Sequence, residues 1–444
     1  MGELQRTYRG RARREERPER PFATAKGDER AVVIASMGAG PEEEEDRLTE
    51  MRELLRTAGA DVVWQLVQHR ASPDPRTFLG KGRLEELVEW MDGQKIDVVV
   101  AEGELSASQQ RLLEDRLNTR VVDRTGLILD IFALHATTAE GKLQVELAQL
   151  EYLYARQEGL WQHLERLGGG VGTRGPGETQ LESDRRILRT RMGMLRSRLR
   201  DLERSRQVMR RRRLDATTLR IALTGYTNAG KSTLMNALTG SAVAVDDALF
   251  ETLDPTTRAF EVDGTRFLLS DTVGFIRHLP HQLVEAFKST LEETRDADLV
   301  LHVADAAESE ERRLTRATAV EAVLDEIGAA ERPRLLVLNK VDQLDEAERA
   351  ALVNRHHEAV LVSAVTGEGL DALRARLVDF ARSRLVPLEV LVPYREGSVL
   401  AAIYAAGRDV EQEPGPDGTV VRALLPPADA ARIAATLNGR PAQT

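Results

Sequence analysis

The sequence predicts an α/β protein in four parts: a small N-terminal α/β domain, an antiparallel helical hairpin, a central domain on a doubly wound sheet, and a small C-terminal α+β domain. Three observations predict it. Short β-branched runs alternate with amphipathic stretches in two separate blocks, at the spacing of βα units. Between the blocks lie two long stretches whose apolar residues recur at steps of three and four, the period of packed helices. The octapeptide Gly225-Tyr226-Thr227-Asn228-Ala229-Gly230-Lys231-Ser232 falls between a strand pattern and a helix pattern, where backbone N–H groups would ring a phosphate.

The chain has 444 residues, 42 % of them apolar and 30 % charged, which is material for about three cored domains. Its zero Cys residues exclude disulfides, thiolate-ligated metals and a thiol nucleophile, and fit a reducing compartment. There is neither a membrane-length apolar run nor a signal-peptide pattern, so a cytoplasmic protein is expected, with no membrane span. A monomer is expected.

Residues 1–30, rich in Arg, Glu, Pro and Gly, are expected to form a disordered arm. The N-terminal domain is assigned to 31–138, with strand patterns AVVIASM, DVVWQLV and DVVVAE and helices near Glu42–Thr57 and Gly82–Met91. The acidic run Glu42–Asp46 reads as a helix start, because the macrodipole favours anions in a first turn. Gly80-Lys81-Gly82 reads as a turn before a helix, with a small phosphate nest as the alternative.

The hairpin is assigned to 139–213, with helices at Ala139–Leu167 and Asp184–Arg213. Leu188, Met192, Leu195, Leu199, Leu202 and Met209 form a seam on the second, and Leu143, Leu147, Leu150, Tyr154, Trp161, Leu164 and Leu167 a facing stripe on the first. The whole chain carries a net charge of −10, yet Asp184–Arg213 holds 13 Arg against 3 acidic residues. The loop between the helices, GGGVGTRGPGETQLE, is dense in glycine. Glycine lets backbone approach another surface closely, and Arg is the phosphate-pairing side chain. Arg174, Gly175, Gly177, Arg185 and Arg186 are therefore the candidate RNA contacts. A flexible linker beside a solvated helix is the bland alternative.

The central domain is assigned to 214–384 and the C-terminal one to 385–444; the order strand, helix, strand, strand, helix after Arg384 suggests a ferredoxin-like module. In the octapeptide, Lys231 would neutralise the β and γ phosphate oxygens, and Ser232, followed by Thr233, would ligate Mg²⁺. Asp271-Thr272-Val273-Gly274 ends the strand RFLLS, where Asp271 would hold Mg²⁺ through water and the Gly274 N–H would meet the γ-phosphate. Asn339-Lys340-Val341-Asp342 follows RLLVL, and the Asp342 carboxylate would accept the N1–H and 2-amino groups of guanine, a pair that adenine lacks. Ser363-Ala364-Val365 would give a backbone N–H to the guanine 6-oxo group and complete the base site with Asn339. Together these segments describe a P-loop GTPase domain that binds GTP and GDP. The eight His residues show no metal-ligand spacing.

Four segments, GPGETQLE, FETLDPTTR, DTVGFIRHLPHQLVEAFKSTLEE and FLGKGRLEEL, occur in the order in which the chain resembles the HflX family of translation-associated GTPases. The resemblance covers almost the whole chain. It implies binding to the large ribosomal subunit, splitting or rescue of stalled or idle ribosomes, insertion of the hairpin tip towards the peptidyl-transferase region, and use of ATP as well, which Asp342 does not explain. It also places a switch loop at Phe250-Glu251-Thr252-Leu253-Asp254, with Thr252, rather than Thr256 or Thr257, closing directly on Mg²⁺. Lys231, Thr252 and Gly274 are then the catalytic set. By resemblance to potassium-dependent GTPases, Asn228 is a candidate K⁺ ligand; a loop-shaping Asn is the other reading. Where many GTPases carry a water-orienting Gln after Gly274, this chain has Phe275, so slow hydrolysis stimulated by a partner is expected. The alternatives are a GTP-gated, non-ribosomal RNA-binding or RNA-remodelling protein and a scaffold that binds GTP without turnover.

Overall fold

The computed structural model describes residues 29–38, 40–167, 176–213, 218–240, 249–250, 256–277 and 288–438. The chain divides into two compact units, one of Met1–Leu134 with Gln149–Arg186 and the other of His135–Ala148 with Ile187–Thr444.

The first unit is built on β1 (Glu29–Met37), α1 (Pro41–Thr57), β2 (Ala60–His69), α2 (Lys81–Met91), β3 (Val98–Ala101), α3 (Ala107–Leu117) and β4 (Arg120–Asp123), followed by α4 (Arg124–His135). Its strands lie in the order β2-β1-β3-β4, and every pairing is parallel. The sheet is thus fully parallel, with β4, α3 and α4 added to the elements read from the sequence. β1 begins at Glu29, inside the stretch expected to be disordered. α1 does open on acidic residues, Glu42 to Glu44, which face its positive end.

Two long helices follow, α5 (Ala139–Leu167) and α6 (Pro176–Arg213). α6 starts well before the expected Asp184, so Gly177 and the sequence up to Ser183 are helix rather than loop. Pro176 accounts for this, since proline is pre-set for the first helical position. Within the first unit Arg185 donates to the Tyr154 hydroxyl at 3.1 Å, and within the second Arg191 donates to Glu146 at 2.7 Å. Later residues of α6 thus meet earlier residues of α5, as an antiparallel pair requires. On the seam, Met192 and Leu195 are buried, whereas Leu202 is exposed.

In the second unit a six-stranded sheet carries the nucleotide motifs. It comprises β5 (Leu219–Gly225), α7 (Lys231–Thr239), β6 (Thr256–Val262), β7 (Thr265–Asp271), α8 (Lys288–Arg295), β8 (Leu299–Asp305), α9 (Glu310–Glu326), β9 (Arg334–Asn339), α10 (Glu346–Arg355), β10 (Val360–Leu361) and α11 (Leu370–Ser383). The strand order is β10-β9-β8-β5-β7-β6, all parallel except the β6–β7 hairpin. Chain order reverses at β5, so the carboxyl ends of β5 and its neighbours open a crevice there. Leu223, Leu301, Phe267 and Val337, all fully buried, fill the layer between sheet and helices.

β11 (Val386–Pro393), α12 (Gly397–Ala406), β12 (Arg408–Pro414), β13 (Gly418–Leu425) and α13 (Pro427–Asn438) complete the described chain, with an antiparallel sheet in the order β11-β13-β12. Among the described residues this is the ferredoxin-like order without its fourth strand. Leu301→Ala in the central strand β8 is expected to cost about 2 to 5 kcal/mol through lost burial and a residual cavity. A lowered urea midpoint for this domain would show it, and an unchanged midpoint would mean that the layer is not packed as described.

Candidate nucleotide site

The octapeptide bridges β5 and α7 at the point where chain order reverses, and glycine is sterically required at two of its positions. A Cβ on Gly225, at φ +149°, would collide with the Val303 carbonyl oxygen of β8. One on Gly230, at φ +85°, would strike the Asn339 side chain. The first clash is with the backbone of β8, which is paired with β5 at this position, and the second is with the side chain that ends β9. Asn228 is exposed and has φ +61°, the left-handed region that asparagine tolerates better than most residues, so it has a backbone reason to be there.

Lys231 is only 7 % exposed. Its ammonium donates to the carbonyls of Gly225 (3.1 Å) and Tyr226 (2.8 Å). Burial pushes its pKa down to about 8, and the negative charge of Asp271 works in the opposite direction. Next to it Ser232 Oγ donates to Asp271 Oδ2 at 2.7 Å, while Thr233 is half-buried behind it. Ser232 and Asp271 therefore converge on one point although they come from different elements. The donor set suits Mg²⁺, which prefers hard oxygen ligands and is usually held by one or two protein groups plus phosphate oxygens and water. Among the described residues no group of three or more His, Cys, Asp or Glu forms a metal cluster.

The Asp271–Gly274 segment lies directly against the phosphate loop. The Thr272 hydroxyl donates to the Leu223 carbonyl at 2.6 Å, and Val273 is buried. A Cβ on Gly274 would come within 3.0 Å of both Lys231 Nζ and Thr227 Cα. The sequence reading took Phe275 as a lost water-orienting group, and the structure adds where its ring goes. Phe275 is 1 % exposed and packs with Leu291, Val320, Val323, Leu324 and Ala329, in the core between α8 and α9.

The base-side segments are joined by one side chain. Asn339 Nδ2 donates to the Ala229 carbonyl at 2.9 Å, and Asn339 Oδ1 accepts from the Ala364 N–H at 3.0 Å. Asn339 thus ties the phosphate loop to the Ser363–Val365 turn. The Ala364 N–H, a candidate for the guanine 6-oxo group, is spent on that tie. Ser363 is fully buried and its hydroxyl accepts from the Thr366 N–H, whereas Val365 is 80 % exposed. Lys340, at φ +68°, pairs with Asp305 at 2.7 Å, and Val341 is buried, so the turn presents Asp342 exposed beside the crevice.

Of the expected switch loop, Phe250 is buried at φ +61°, and Glu251, Thr252, Leu253 and Asp254 lie outside the described residues. Thr256 and Thr257 belong to β6, registered against Asp271 and Ser270 of β7. Arg174 and Gly175 also lie outside the described residues. Arg185, a candidate RNA contact, instead lays its guanidinium over the Tyr154 ring, 5.2 Å from its centroid, so this Arg is engaged within the hairpin; Arg186 is exposed. Two contributors were not legible in the sequence. His302, in β8, is held neutral, its pKa pushed to about 4 first by burial and then by the charges of Arg334 and Lys231. Arg316 of α9 covers the Tyr226 ring at 4.5 Å, and no local pattern distinguishes it from the other Arg residues of that helix.

Comparison with known proteins agrees with this geometry. Three family profiles match in succession: a GTP-binding GTPase N-terminal region over residues 45–133, a GTP-binding GTPase middle region over 135–213, and a 50S ribosome-binding GTPase over 220–340. The GTPase HflX of Lacrimispora saccharolytica is 44 % identical over 400 residues, covering 90 % of this chain and 94 % of that protein. The GTPase HflX of Escherichia coli is 43 % identical over 411 residues, covering 91 % and 95 %. A GTP-binding protein of Sulfolobus solfataricus, solved with GDP, is 25 % identical over 80 % of this chain and 98 % of its own, with a TM-score of 0.43. With relatives this similar along nearly its whole length, and with the phosphate loop, Asp271–Gly274 and Asn339–Asp342 gathered at one crevice, the chain belongs to the HflX family of GTPases.

Proposed function

We propose that this GTPase binds the large ribosomal subunit and couples the GTP cycle to ribosome association and to the splitting or rescue of stalled or idle ribosomes. The observation that carries the reading is the burial of Phe275. A GTPase site whose residue after Gly274 is turned into the core has no side chain there to orient water, so the missing group or the ordering comes from a partner. The match of residues 220–340 to a 50S ribosome-binding GTPase supports the ribosome as that partner. The Arg-rich α6 supplies phosphate-pairing charge, with Arg174, Gly175, Gly177 and Arg186 near the hairpin tip as RNA contacts. Arg185 would act as a support that stiffens the tip.

In this reading the backbone of Gly225–Thr233 cradles the phosphates, Lys231 neutralises them, and Gly274 and Thr252 sense the terminal one. Ser232, Thr252 and, through water, Asp271 are the groups that would hold Mg²⁺, which would neutralise charge developing on the phosphates. Asn228 would be a ligand of K⁺ if a second ion joins the site, and Phe250–Asp254 would supply the closing loop. Asp342 reads the guanine N1–H and 2-amino groups from its exposed turn, while Asn339 holds the base and phosphate walls at a fixed spacing.

Steady-state GTP hydrolysis with large subunits tests the reading, with an unrelated structured RNA as control. Large, saturable stimulation by subunits alone is expected; equal stimulation by any RNA would favour an RNA-remodelling protein. Asp342→Asn is expected to weaken GTP binding by about 2 to 4 kcal/mol and to favour xanthine nucleotide, through loss of the paired charge-assisted bonds. Competition binding checks it, and unchanged guanine selectivity would remove Asp342 from the base site.

A further inference from the structure

The first residues after Gly274 are laced to the phosphate loop by three hydrogen bonds. The Thr227 N–H donates to the Phe275 carbonyl at 2.8 Å, and the Phe275 N–H donates to the Gly225 carbonyl at 3.1 Å. The Arg277 N–H donates to the Tyr226 hydroxyl at 2.8 Å. Tyr226 is itself held: its ring is buried, and Arg316, which pairs with Glu308, lies over it. The Phe275 ring anchors the same segment from the other side, in the core between α8 and α9.

This lacing bears on the phosphates. The Thr227 N–H belongs to the row of donors that would ring them, and here it is spent on Phe275. A single methyl group on Gly274 would already lie 2.8 Å from Thr227 Cγ2 and 3.0 Å from Lys231 Nζ. Gly274 therefore stands hard against Thr227 and Lys231 while the lace is closed, on the side of the loop that a terminal phosphate would approach. A diphosphate needs less of this space, because the gap at Gly274 is where the third phosphate would stand.

We propose that Tyr226 is a positioning residue: with the Thr227–Phe275 backbone bridge, its hydroxyl holds Gly274–Arg277 in a form that accepts GDP and excludes the terminal phosphate of GTP, so that it sets the nucleotide preference. The proposal rests on the guanine-nucleotide reading of the site. A ligand shifts such an equilibrium only by its differential affinity for the two forms. GTP therefore spends part of its binding energy on opening the lace, and GDP does not.

The test is equilibrium binding of GDP and of a non-hydrolysable GTP analogue to the full chain, wild type beside Tyr226→Phe, which keeps the ring under Arg316 and deletes only the hydroxyl. The preference for GDP over the analogue is expected to fall about 3- to 10-fold, the effect of one hydrogen bond. Arg316→Met, which uncovers the ring, is expected to move the ratio in the same direction. An unchanged ratio, with both nucleotides still bound, overturns the lace and leaves the guanine site standing. Equal weakening of both nucleotides gives Tyr226 a merely structural part and also overturns it. Failure of the wild type to bind either one overturns the site reading itself.

Discussion

The nucleotide domain is organised around a lysine ammonium taken almost completely out of water. An isolated buried charge costs several kcal/mol or more, so Lys231 exists only because other elements bring oxygen atoms to it. Two come from the carbonyls of Gly225 and Tyr226, where the strand β5 unwinds into the phosphate loop, and Asp271 at the end of β7 supplies the opposing charge. The parallel pairing of β5 with β7 sets Leu223 opposite Asp271 and fixes that placement. The close approach of β8 makes Gly225 obligatory, and that of Gly274 leaves no space for a side chain. The buried ammonium, the pairing of β5 with β7, the glycines and the loop contacts thus depend on one another.

Asn339 extends the same logic to the other wall of the crevice. Both ends of its amide are used, one on the phosphate loop and one on the Ser363–Val365 turn. A buried amide satisfied on both sides resists displacement, since moving either wall leaves a buried polar group unpaired. The distance between phosphate and base subsites is therefore built into the protein. The contacts of Phe275 and Arg277 are different in kind, because they tie the phosphate loop to the segment that the proposed nucleotide cycle would move.

Much of this was legible in the sequence where chemistry depends on local spacing. The phosphate loop, Asp271–Gly274 and Asn339–Asp342 each follow a strand pattern, and the structure places all three at strand ends around one crevice. Where tertiary context decides, the reading ran out. The glycines around Pro176 suggested a loop throughout, yet α6 begins at Pro176. The sequence of α4, LILDIF, is apolar nearly all round, so it shows no helical period, and it is buried accordingly. Thr256 and Thr257, weighed against Thr252 as closing residues, are taken into the ladder with β7. The direction of the Phe275 ring is a matter of packing between α8 and α9, and no motif carries it.

The central claim is that the residue following Gly274 is a core anchor and that water alignment comes from the partner. Single-turnover GTP hydrolysis by Phe275→Gln beside the wild type, each with and without large ribosomal subunits, tests it most directly. The account predicts an unstimulated rate within a few-fold of the wild type and a lowered thermal midpoint, because a glutamine there loses the core contacts without reaching the phosphates. An unstimulated rate raised to the subunit-stimulated level would contradict it, by showing that the side chain at this position faces the reaction.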